Sequence, residues 1–157
     1  MGAMPDYLRE ELAKLLDDYD ERRRAVVARE QKVRDADALF VTQFAELRRS
    51  VIRPAFEAVA AMLAERGHVA AITEQEYAVA EGSKVSEAWI ALRIVAAGAA
   101  EANARSLTIS TRHYNKTVLI DAGKPLEGAK GSYAMDKVDR QRVEEELLKF
   151  VAGVVGA

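Results

Sequence analysis

Apolar or long side chains recur at Leu8, Leu12, Leu15, Tyr19, Arg22, Val26, Arg29, Val33, Ala36 and Phe40, in steps that alternate four and three. That alternation is the seam of a coiled coil, because a helical face must repeat every 3.5 residues on average to stay against a partner helix. Arg22 and Arg29 weaken the seam, although arginine stems cover apolar surface while their heads reach water. After one extra four-residue step a similar stripe runs on through Phe44, Leu47, Val51, Ala55, Val59 and Met62. Such a step marks a place where a coiled coil ends or changes partner.

The pattern predicts a helical segment over residues 6–66. It is read as one helix kinked at Pro54, or as a hairpin in which Asp35 or Asp37 caps a second helix. No glycine, proline or asparagine lies between Asp6 and Arg53, which favours continuity. Gly67 is placed to end the segment in a left-handed cap.

Residues 67–157 form the second expected domain, and their apolar positions switch to a period of two. Strands are predicted at His68–Ala78, Ala88–Ala97, Ser106–Tyr114 and Thr117–Ala122. The last two read as a hairpin around Asn115-Lys116, with Tyr114 facing Thr117, Arg112 facing Leu119 and Thr111 facing Ile120. One face then carries Leu107, Ile109, Val118 and Ile120, and the other Thr108, Ser110, Arg112 and Tyr114. A closing helix from about Asp136 to Ala152 presents Val143, Leu147, Phe150, Val151 and Val154 to cover the apolar face, with Asp136 or Asp139 as its cap. The expected fold is α+β: a long coiled-coil-like helix, a small antiparallel meander of about four strands, and a C-terminal helix packed on it.

Charge sharpens the reading of the first segment. Asp6–Glu21 carries a balance of −5 and Arg22–Arg34 a balance of +5. An antiparallel homodimer centred near Glu21 and Arg22 brings these halves together, whereas a parallel one sets like charges side by side. Local i, i+4 pairs such as Glu10–Lys14, Asp18–Arg22 and Asp20–Arg24 offer a simpler use for the same charges. The whole chain has a net charge of −2, so nucleic acid would have to be met by a local patch, the Arg22–Arg53 surface. The acidic half beside that patch opposes such a role.

Composition narrows the chemistry. With no cysteine there are no disulfides, thiol nucleophiles or thiolate metal sites. No apolar run approaches a membrane span and no basic-then-apolar leader opens the chain, so a cytoplasmic protein is expected. His68 and His113 lack a carboxylate framework for a metal, and no serine has an identifiable base, so neither metal, cofactor nor enzymatic activity is expected. The segment Asp121–Ser132 resembles a phosphate-binding loop only in its glycines. Ala129 and Gly131 break the required Lys-Ser/Thr spacing, which leaves a connector from sheet to helix. The surface cluster most suited to a partner is Trp89 and Arg93 on one strand with Arg112 and Tyr114 on another. These features predict an oligomerisation or adaptor protein, with a nucleic-acid-associated protein, or a small-molecule-binding domain or enzyme with its cavity between the sheet and the last helix, as the alternatives. The adaptor self-associates through Leu8, Leu12, Leu15, Tyr19, Val26, Val33 and Phe40, and presents a sheet surface to another protein.

Overall fold

The computed structural model describes residues 4–123 and 130–156. Helix α1 spans Asp6–Leu47 and passes without a break into a π-helical turn at Arg48–Ile52 and then helix α2, Arg53–Glu65. The hairpin alternative is thereby excluded, and Asp35 and Asp37 lie in the helix interior.

The π-turn follows from the spacing of the residues that are buried. Phe40, Phe44, Arg48, Ile52 and Phe56 advance in steps of four, and Leu63 continues the row. Over the sixteen residues from Phe40 to Phe56 an α-helix at 3.6 residues per turn overshoots four turns by roughly 160°. One residue absorbed in a wider turn cancels about 100° of that drift, which keeps the row on one face. The Arg53 amide accordingly donates to the Arg48 carbonyl, five residues back. Pro54 follows in the first turn of α2, where the missing amide is tolerated. The buried row therefore differs from the expected stripe. Leu47, Val51, Ala55 and Val59 are half-buried beside it, and Met62 is exposed.

A Schellman motif ends α2. The Gly67 amide donates to the Ala64 carbonyl at 3.1 Å and the His68 amide to that of Leu63 at 3.0 Å, with Gly67 at φ +87°. Strand β1 (Val69–Gln75) follows, then a two-residue ladder of β2 (Ala78–Val79) with β3 (Val85–Ser86). The chain continues through β4 (Trp89–Val95), β5 (Arg105–Arg112), β6 (Thr117–Asp121) and β7 (Lys130–Ala134). The main sheet has the order β1-β4-β5-β6-β7 and is antiparallel throughout. Two strand expectations need correction. The first predicted strand ends at Gln75, and β7 was not anticipated at all. The β5–β6 register also differs by two residues, with Arg112 opposite Thr117 and Thr111 opposite Val118. A four-residue turn, His113–Lys116, replaces the expected tight one, and Lys116 takes φ +55° in it. A slip of two preserves the faces, so Leu107, Ile109, Val118 and Ile120 are buried as expected.

Helix α3 (Arg140–Val155) is capped by Asp139, whose Oδ1 accepts from the Arg142 amide at 2.8 Å. Its Val143, Leu147 and Phe150 meet Phe44, Ile52 and Phe56 over the apolar sheet face, in one core with Ile90, Leu92 and Ile94. By its contacts the chain divides between Leu39 and Phe40, into Met1–Leu39 and Phe40–Ala157. The expected division at residue 67 instead falls inside the second unit, since 40–66 supplies much of the core. No helix among the described residues is long and apolar enough to cross a membrane.

Candidate functional site

The first unit is a helix whose seam touches nothing else in that unit. Leu15, Tyr19 and Val33 are 62%, 53% and 61% exposed, and Leu8, Leu12 and Val26 are exposed as well. Phe40 is a correction to the seam. It is buried in the second unit, where the Lys116 ammonium lies 5.9 Å from its ring centroid. The row in steps of four claims it for the core, so the exposed seam ends before it. Within the helix, Arg23 stands over the Tyr19 ring at 6.0 Å, and Gln31 bridges Arg34 and Asp35.

The basic surface expected over Arg22–Arg53 is divided. Arg48 is buried, donating to the Gln75 carbonyl at 3.0 Å and pairing with Glu76 and, at 3.7 Å, with Glu74. Arg49 pairs with Glu46, and Arg53 with Glu57 and Glu74, each at 2.6–2.7 Å. The hydrogen bond to Glu74, and then that to Glu57, raises the Arg53 guanidinium above its ordinary pKa. These three arginines are committed to carboxylates of their own chain and offer little to phosphate.

The sheet face away from the helices gathers the other predicted residues. Pairing puts Trp89 opposite Ser110 of β5, so Trp89, Arg93 and Arg112 share this face. Trp89 is half-buried there, not covered by a helix. On the β5 side its neighbours are small or hydroxylated, Thr108, Ser110 and Ser106, and on the β1 side Gln75 stands opposite it. Arg112 donates to the Tyr114 hydroxyl at 3.1 Å, which ties the exposed turn residue to the strand, and Arg93 reaches Glu101 at 3.5 Å. The four residues thus lie along one side of the sheet, with Trp89 between the two arginines.

Sequence reasoning missed Glu87, which organises the turn. Its carboxylate accepts from the Thr111 hydroxyl at 2.7 Å and the His113 amide at 3.2 Å, and contacts His113 Nδ1. Tyr77 packs edge-on against the imidazole at 5.9 Å between centroids. A carboxylate that fixes an imidazole is half of an acid–base device. Here it receives the Thr111 hydroxyl directly, so the hydroxyl is not aligned for attack through the histidine. The arrangement anchors the β5–β6 turn to the start of β4. No local spacing announces it, since Glu87 and His113 are far apart in sequence. His68 is engaged separately, its Nδ1 accepting from the Ala97 amide at 2.9 Å. The glycine-bearing connector falls mostly outside the described residues, but its end enters β7 rather than a helix N-terminus. No protein-family model, curated protein or solved structure matches the chain.

Proposed function

We propose that this chain is a non-enzymatic oligomerisation or adaptor protein, which pairs with a second copy through α1 in an antiparallel coiled coil. The carrying observation is the exposed seam: six large apolar side chains at heptad spacing on a helix that supplies no partner for them within its own unit. An isolated helix gains little stability in water without burial of such a face.

Direction follows from what each arrangement sets in the seam. In a parallel pair, Arg22 meets Arg22 and Arg29 meets Arg29. The steps between Leu8 and Val33 read the same in both directions, so an antiparallel pair matches the stripe to itself. Leu8 then faces Val33, Leu12 faces Arg29, Leu15 faces Val26 and Tyr19 faces Arg22. The flanking positions bring Arg9 to Glu30 and Glu11 to Lys32, opposite charges in both cases. Tyr19 opposite Arg22 adds a ring for a guanidinium to rest on. Each subunit would present the face bearing Trp89, Arg93, Arg112 and Tyr114, whose cations suit an acidic protein segment.

Sedimentation equilibrium is expected to give a dimer whose association weakens with salt; a monomer at all accessible concentrations would defeat the proposal. In that dimer, cysteines at 8 and 33 should crosslink between subunits. A Leu15→Cys homodimer crosslink without the first would establish parallel pairing instead. Titration with an oligoglutamate peptide should shift Trp89 emission, and the shift should vanish in an Arg93→Ala, Arg112→Ala double variant. Its absence at low salt would remove the acidic-partner reading.

A further inference from the structure

Within the second unit, α2 and α3 leave a half-open groove of about 690 Å³ between them. Ala55 and Ala58 of α2 line it, and longer side chains at these positions would fill the space. The lips are apolar and unpartnered, with Met62 58% exposed and Leu148 74% exposed. From Val51 to Met62 the groove wall runs about 16 Å along the helix. Volume and lining are those of a small-molecule site rather than of a macromolecular surface.

Its polar groups are few. Arg140 and Glu144 are both in the lining and pair at 3.6 Å, so their charges offset. Arg66 carries no ion pair among the described residues and leaves the lining with one uncompensated positive charge. His68 is in the lining beside it. Because His68 Nδ1 accepts the Ala97 amide proton, its own ring proton resides on Nε2, which makes that nitrogen a second donor. An apolar trough supplied with a free guanidinium and an N–H donor complements a chain with an anionic head.

We infer that the α2–α3 groove binds a single-chain anionic amphiphile, its apolar chain along Ala55, Ala58 and Leu148 and its acidic head at Arg66 and His68. The head is a carboxylate or a phosphate ester, and the experiment distinguishes the two.

Calorimetric titration of the full chain with dodecanoate and with dodecyl phosphate, below their micellar concentrations, should show saturable binding at one site per chain. The tighter of the two identifies the head group. Ala58→Trp fills the trough from an exposed helix position, and Leu148→Glu places a like charge on its lip; each should weaken binding at least about tenfold while the thermal midpoint is kept. Arg66→Gln should weaken the anionic ligands by about tenfold, a charge-assisted hydrogen bond's worth, but leave dodecanol within about twofold. Absence of saturable binding would overturn the inference, as would full binding by both folded groove variants. Equal loss of dodecanoate and dodecanol in Arg66→Gln would overturn the placement of the head.

Discussion

Val33 and Val27 offer a matched test of the seam. Both are valines on the exposed surface of α1, at 61% and 57% exposure, and differ only in that Val33 is on the stripe and Val27 is one residue off it. Truncation to alanine removes two methyl groups, worth roughly 0.8 kcal/mol each when fully buried. With 61% of Val33 still available for burial, the loss is about 1 kcal/mol per site. A two-fold dimer contains the site twice, so Val33→Ala should cost about 2 kcal/mol of association, or roughly thirty-fold in Kd. Alanine's better helix propensity enters both variants alike and drops out of the comparison. Val27→Ala should leave Kd within about twofold. Sedimentation equilibrium of the two variants at several loading concentrations measures both values. Equal weakening by the two substitutions, or none by Val33→Ala, would refute the seam as the contact.

The second unit supports three further tests by urea unfolding. Arg48→Met keeps the apolar stem but strands the Gln75 carbonyl and its carboxylates, and should lose about 2 kcal/mol, whereas Arg49→Met should be indistinguishable from the parent. Gly67→Ala has room for its methyl, the nearest atom being Ala97 Cβ at 4.0 Å, so its expected loss of about 1 kcal/mol comes from the left-handed backbone alone. Asp139→Ala should lose about 1 kcal/mol with the α3 cap.

Legibility in the sequence tracked how local the physics was. The helical stretch, its glycine stop and the last helix follow from side-chain periodicity and capping chemistry, while the continuity of α1 past Asp35 and the choice of Asp139 over Asp136 as cap came from the structure. The faces of β4, β5 and β6 were legible because alternation alone sets them. The β5–β6 register was not, because it depends on a turn whose first residue, His113, is held by Glu87 from the segment just before β4. Strand β7 carries Tyr133 among small residues and has no alternation to read. The exposed apolar stripe was legible to Val33, but its end was obscured: Phe40 fits the heptad as well as it fits the row in fours, and only packing decides between them. That row also contains Arg48, a residue that hydrophobic pattern matching passes over. The groove had no signature, since its two walls lie some ninety residues apart and Ala55 and Ala58 are ordinary helix formers.

The π-turn also makes the chain's tolerance of length change unusual. In an ordinary helix a one-residue deletion rotates everything downstream by about 100°. Deletion of a single residue within Arg48–Ile52 would instead relieve a wide turn and leave a regular α-helix in its place. Because the wide turn already takes up one residue's rotation of about 100°, loss of an exposed residue such as Arg49 would leave Phe56 and Leu63 facing the core. Viable descendants of this chain should therefore lose one residue in that turn more readily than anywhere else along the buried helix.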